Sequence, residues 1–171
     1  DAPKFEERAL PSFEAMIPFI HKMYKRVSGK IDIEPVDYHA YANAGEFRGD
    51  IKKNKRMKVA TTDSEHDVFD MDTNVKFRAI HDYLAHHTGI KSRGTEFDFI
   101  GEIQAYNIHL KTAPPKAVPA FFTEVVGQVS AFYLNGNKFA EQKICLLDGF
   151  DYYKVGKVDG YTIVNKKLVK L

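Results

Sequence analysis

The sequence predicts an α+β protein, with a mainly helical core of four to five helices and a small β element at about residues 31–70. Three observations lead to this class. From about Asp72 onward, apolar residues recur at helical spacing between capping residues and glycines. Residues 31–70 instead collect β-branched and aromatic residues in IDIEPVDYHAY and RMKVATT, alternating in places. The composition suits a single unstapled core: 171 residues, 44% hydrophobic and 13% aromatic.

The ordered part opens with LPSFEAMIPFIHKMYKRVSGK. Ser12 is its candidate N-cap, Phe13, Ile17, Ile20 and Tyr24 share one stripe, and Gly29 is the stop. His21 has no acidic or imidazole partner at helical spacing and reads as a surface residue. In the β-rich segment, Gly45, Gly49 and Asp50 mark boundaries. The run KKNKRMK, with five cations from Lys52 to Lys58, reads as a solvated hairpin tip or edge-strand guard. Helices are then expected over 73–88 (capped by Asp72 or Thr73, stopped by Gly89), 96–112 (starting at Thr95 and Glu96), 116–134 (closed by Asn135-Gly136) and 138–147. The tail YTIVNKKLVKL alternates like a closing strand. One domain spans 1–171: an N-terminal helix or arm at 1–30, the β-rich element at 31–70, the helical core at 72–150 and a tail at 151–171.

The bulk numbers narrow the function. A net charge of +2, from 25 basic and 23 acidic residues, argues against nucleic acid as a partner, and no aromatic residues interleave the Lys52–Lys58 run. One cysteine, Cys145, excludes an internal disulfide, and its setting KICLLD reads as a buried apolar position. No span of the ~20 apolar residues a membrane helix needs is expected, which predicts a soluble chain. The first residue is Asp1 rather than methionine, as after removal of an N-terminal piece or at a fragment boundary.

The chemistry concentrates in HDYLAHHTGI, residues 81–90, which holds three of the seven histidines. Asp82 and His86 are four apart and share a helical face, whereas His81 and His86 are five apart, about 140° on a straight helix. A bulged last turn before Gly89 would swing His86 round. In the next helix Glu102 and His109 share an azimuth seven residues apart, and in the third Glu124 and Gln128 are four apart in an otherwise apolar run. A carboxylate among apolar neighbours costs several kcal/mol unless it is paired, protonated or metal-bound. Three helices that each offer a carboxylate, two of them with imidazole, fit a bundle-core metal site, for zinc first and manganese or iron next. They fit equally a buried hydrogen-bonded network that clamps the helices without an ion.

The motifs FRAIHDYLAHHTG, FDFIGEIQAYNIH, FFTEVVGQ and FAEQKICLL, in that order over roughly residues 75–150, resemble a family of phage-encoded metallopeptidase-like domains. That family runs RAxHDxxGH, GExxAxxxH, TExxGQ, FxxQKxxLL. Its polar positions fall on His81, Asp82, His86, Glu102, His109, Glu124 and Gln128. Ala85 replaces a glycine of the pattern, Val126 an arginine that could hold a transition-state charge, and Ile103-Gln104 an acidic-polar pair. The resemblance implies a zinc-dependent hydrolase of peptide or peptidoglycan amides. His81, His86 and Glu102 would hold the ion with His109 beside them, Glu124 would be the general base, Asp82 would orient a histidine, and Gln128 would position substrate. It also implies other virion proteins as partners and a location in the phage particle or, during assembly, the host cytoplasm. The alternative is a non-catalytic structural component of the virion (capsid, neck, tail or ejected cargo) that keeps a vestigial site.

Overall fold

The computed structural model describes residues 2–155, 161–164 and 167–170. It is α+β and mainly helical, as expected. A 3₁₀ turn, Glu7–Ala9, leads into α1 (Leu10–Ser28), which buries Phe13, Met16, Phe19, Ile20, Met23 and Val27 on one face. Ser12 does not cap this helix. It is buried inside α1, where its hydroxyl accepts the Ala120 amide at 3.0 Å and ties the first helix to a later one.

The segment 31–70 forms a strand–helix–strand unit rather than a hairpin. Strands β1 (Asp32–Val36) and β2 (Arg56–Ala60) pair in parallel, with Asp32 opposite Arg56 and Val36 opposite Ala60. Parallel strands need a crossover, and α2 (Ala44–Asn54) provides it. Gly45, Gly49 and Asp50 therefore lie inside a helix, not at strand ends. Reciprocal capping explains why: the Asn43 side chain accepts the Glu46 amide at 2.9 Å, and the Glu46 carboxylate accepts the Ala42 amide at 2.9 Å. Lys52 and Lys53 sit in the last turn of α2, where cations suit the helix dipole, and Lys55 turns the chain with φ 53° into β2.

Helix α3 (Met71–His81) is capped by Asp70, whose carboxylate accepts the Thr73 amide at 2.7 Å, so neither Asp72 nor Thr73 is the cap. A π-helical turn, Asp82–His87, continues it, and the Thr88 amide bonds back five residues to the Tyr83 carbonyl at 2.9 Å. After α4 (Gly89–Ser92), a single distorted turn in which Ile90, Lys91 and Ser92 have φ of 21°, 54° and 65°, α5 (Phe99–His109) starts with Asp98 accepting the Gly101 amide at 2.7 Å, three residues later than Thr95 and Glu96 suggest. A 3₁₀ turn (Pro115–Ala117), α6 (Val118–Phe121), a second π-helical turn (Phe122–Gly127) and α7 (Gln128–Leu134) make one helical run. By length and composition alone Pro115–Leu134 would suffice to cross a membrane, contrary to expectation, at a mean hydropathy of 1.3; half of that stretch is buried inside the protein.

Residues 138–147 are not helical. Asn137 has φ 64° and Gly136 φ 65°, which turns the chain, and the segment then runs extended. The Ile144 amide donates to the Lys4 carbonyl at 2.8 Å and its carbonyl accepts the Glu6 amide at 2.8 Å, so these backbone groups are satisfied by the N-terminal segment instead of a helix. In the tail, β3 (Tyr161–Val164) and β4 (Lys167–Lys170) pair antiparallel.

The core joins Phe13, Met16 and Ile20 of α1 to Phe47, Met57, Ile80, Phe121 and Ile144. Each such side chain contributes roughly 1.5–3 kcal/mol by leaving water. One polar contact fixes the crossover helix on its strand: the Tyr41 hydroxyl donates to Asp50 at 2.7 Å and accepts the Lys58 amide at 3.0 Å. Burial, with Asp50 beside it, pushes this phenol up to about 12, so it stays a donor at ordinary pH. Tyr41→Phe removes both bonds and should cost roughly 1–3 kcal/mol in urea or thermal unfolding. Stability equal to the parent chain would show that the hydroxyl holds nothing in place.

Candidate metal centre

The first site residue, His81, ends α3, and the π-helical turn sets the second. Over that turn, hydrogen bonds run five residues rather than four, so residues five apart come to lie on one face. The Nε2 atoms of His81 and His86 consequently approach to 3.1 Å. Glu102, near the start of α5, completes the group: its Oε2 is 3.0 Å from His81 Nε2 and its Oε1 is 3.2 Å from His86 Nε2. Asp82 brings a carboxylate oxygen within 4.8 Å of ligand atoms of both histidines. His109, at the end of α5, places Nε2 3.1 Å from His81 Nδ1. His81, Asp82, His86, Glu102 and His109 thus come together from two helices.

This cluster can hold a metal ion. Ligand atoms about 2.0–2.1 Å from a tetrahedral ion lie roughly 3.3 Å from one another, and about 3.0 Å in octahedral geometry. The 3.0–3.2 Å separations of His81 Nε2, His86 Nε2 and Glu102 are of that size. Proton placement agrees. His86 Nδ1 lies 3.2 Å from the Thr95 carbonyl, which can only accept, and 2.8 Å from the Thr95 hydroxyl. The proton therefore sits on Nδ1, and the lone pair of a neutral His86 points from Nε2 towards a carboxylate. Two acceptors facing each other are relieved by a metal ion, or by a second proton on His86 that lets Nε2 donate to Glu102.

The surrounding charges respond accordingly. Burial alone would raise Glu102, but the His81 and His86 imidazoles outweigh it and hold this carboxyl well below the usual range. Burial works against a charged His81, while Glu102 and Asp82 beside it raise its pKa above the ordinary histidine value. Burial pushes the Asp82 carboxyl up. Burial, with the two neighbouring imidazoles, depresses His109 strongly, so it is neutral, and its buried Nδ1 has no hydrogen-bond partner among the described residues.

The backbone around His86 is tightly constrained. Arg48 of α2 donates to the carbonyls of His86 at 3.2 Å and Thr95 at 3.0 Å, and pairs with Glu96 at 2.7 Å. Gly94, at φ 73°, lies so close that a Cβ there would stand 2.1 Å from the His86 carbonyl oxygen. Arg78, the arginine of FRAIH, donates to the carbonyls of Ala60 at 3.0 Å, Thr62 at 2.6 Å and Asp63, and so moors α3 to the chain leaving β2.

Glu124 and Gln128 belong to a second polar group. Gln128 Nε2 donates to Glu124 Oε2 at 3.1 Å and to Gln142 Oε1 at 2.7 Å, while Gln142 Nε2 donates to Glu124 Oε1 at 2.8 Å. His66 Nε2 stands 3.7 Å from Glu124 Oε1, and its Nδ1 accepts the Val68 and Phe69 amides at 3.1 and 2.9 Å. Among the described residues no hydrogen bond of Glu124 reaches the histidine cluster. Aromatic rings intervene: His66 stacks on Phe69 at 4.1 Å, Phe69 meets Phe77 at 6.3 Å, and Phe77 meets His81 at 6.2 Å. The roles of Thr95, Arg48 and His66 escape sequence reading, because each acts across a loop with no periodic signal. Gln142 had one, the glutamine of FAEQK.

Because both Glu124 oxygens accept hydrogen bonds, Glu124→Gln leaves one glutamine amide facing another donor and should cost about 1–2 kcal/mol. Glu124→Leu strands both amides and should cost roughly 2–4 kcal/mol. Thermal unfolding of the two variants checks the order, and a leucine variant as stable as the parent would deny the network any structural weight. Comparison with protein-family models, with curated proteins and with solved structures finds no match to this chain.

Proposed function

We propose that this chain binds a zinc ion through His81 Nε2, His86 Nε2 and the Glu102 carboxylate, in a phage-encoded, virion-associated protein that hydrolyses peptide or peptidoglycan amide bonds. The observation that carries the metal reading is the convergence of those three ligand atoms at 3.0–3.2 Å, with the His86 lone pair fixed by Thr95. Two imidazoles and one carboxylate suit zinc with a position left open, and manganese or iron are the competitors. The chemistry zinc supplies when bound is Lewis acidity, which lowers a water pKa towards ~7 and polarises a carbonyl.

The chain's own residues do the rest. Thr95 holds the His86 tautomer from behind, as His109 holds the His81 ring. Asp82, whose carboxylate lies within 4.8 Å of ligand atoms of both imidazoles, would orient a histidine and, in the absence of Glu124, would be the carboxylate to take and return a proton. The ordered motifs from FRAIHDYLAHHTG to FAEQKICLL support the phage and peptidase parts of the reading. A specific observation favours a second reading, a structural virion component with a vestigial site. Glu124, the nominated general base, is committed to Gln128 and Gln142, away from the cluster.

Metal analysis of the native protein by mass spectrometry should find about one zinc per chain. His86→Ala should lower metal affinity at least ~10- to 100-fold, and a chelator should lower the melting temperature of the parent but not of the variant. A metal-free native protein with chelator-insensitive melting would end the metalloprotein reading. Bound zinc without release of peptides from casein or of amines from purified peptidoglycan would leave the structural one.

A further inference from the structure

Three exposed rings lie on and beyond the flank of the cluster, Phe97 against His86 and the Phe99–Tyr133 pair at the start of α5. Phe97 is 40% exposed, yet its ring centroid lies only 4.6 Å from that of His86, in an edge-on arrangement. On its other side it meets Phe47 of the core at 5.9 Å. Phe99, 41% exposed, opens α5 three residues before Glu102, so the two side chains share one face of that first turn. The Phe99 ring meets Tyr133 of α7 at 5.7 Å, nearly perpendicular, and Tyr133 is itself 43% exposed. Each ring keeps about two-fifths of its surface in water, and Phe97 does so directly against a buried imidazole, an arrangement that marks a contact surface more often than core.

Resting on the metal reading above, we infer that Phe97, Phe99 and Tyr133 form the surface that receives an aromatic or bulky aliphatic side chain of a peptide held at the metal centre. Continuity with the cluster selects this occupant. A group bound next to His86 Nε2 and Glu102 has Phe97 against one of those residues and Phe99 on the same helical turn as the other. The chemistry of the rings selects a peptide side chain over a sugar. The three rings are turned edge-on or tilted to their neighbours rather than laid out as one flat stacking face, at 77° for Phe97 on His86 and 87° for Phe99 on Tyr133. The rings offer apolar area and edge-to-face packing, which an aromatic or aliphatic side chain can use in full.

Hydroxamates test the surface separately from the metal. The zinc-loaded full chain is titrated calorimetrically with acetohydroxamate, phenylalanine hydroxamate, asparagine hydroxamate and a glucosamine-derived hydroxamate. Acetohydroxamate reports chelation at the metal alone. Phenylalanine hydroxamate should bind about tenfold more tightly than asparagine hydroxamate, the gain expected for part-burial of a benzyl group. In Phe99→Ala that preference should fall to roughly threefold or less. Equal affinity for the two amino-acid hydroxamates, with acetohydroxamate still binding, overturns this inference and leaves the metal reading intact. Tightest binding by the glucosamine derivative overturns it in favour of a glycan. No acetohydroxamate binding to zinc-loaded protein shows a closed metal site and overturns this inference, while failure of the chain to take up zinc at all removes the metal reading on which it rests.

Discussion

His81 and His86 stand five residues apart, and the candidate metal centre depends on the helix widening by one residue between them. On a straight α-helix their side chains would diverge by about 140°. The π-helical turn at Asp82–His87 removes the divergence and brings their Nε2 atoms to 3.1 Å. Such a turn is rare and persists where neighbours fix it. Here the neighbours are explicit. Thr95 takes the His86 ring, Arg48 takes the His86 carbonyl, and Gly94 admits that carbonyl at a distance no side chain would tolerate. Arg48 and Phe47 both lie on α2, so the strand–helix–strand unit is coupled to the site through the Arg48 guanidinium and through the Phe47 ring, which meets Phe97 and His87.

The parts of this arrangement that follow a period were legible in the sequence. Helical stripes located α1, α3, α5 and the long run from Pro115, and the spacing of His81, Asp82, His86, Glu102 and His109 picked out five side chains that gather at one place. The parts governed by local competition were not. Asn43 with Glu46 starts a helix through two glycines, which turned an apparent pair of hairpin strands into a parallel crossover. Aspartates at 70 and 98 won the capping positions from residues two to three places away. Residues 138–147 carry a passable helical pattern but bond instead to Lys4 and Glu6, about 140 residues earlier, and no window of sequence contains that partner. Glu124 was legible as a buried carboxylate in need of partners; that they are Gln128, Gln142 and His66 rather than the histidine cluster is a matter of tertiary placement.

The two polar groups lie on either side of Phe69 and Phe77, and this division decides what each can do. In a medium of low polarity every unmatched donor or acceptor is costly, and every matched one is strengthened. The Glu124 group meets that condition with two amides that close a ring on one carboxylate, which leaves both of its oxygens bonded. The histidine group does not close in the same way. Thr95 fixes the proton of His86 on Nδ1, Glu102 is held ionised, and His109 is kept neutral with one ring nitrogen unbonded. With one proton on His81 its line to Glu102 is satisfied, and the His86 line to the other carboxylate oxygen at 3.2 Å then takes either a second imidazole proton or a metal ion. A metal cation at the common centre satisfies all three atoms together. The two groups differ in this respect although both are built of buried carboxylate and imidazole: both Glu124 oxygens are bonded by glutamine amides, with only His66 Nε2 left at 3.7 Å, whereas the atoms of the histidine group converge as a metal ion would need.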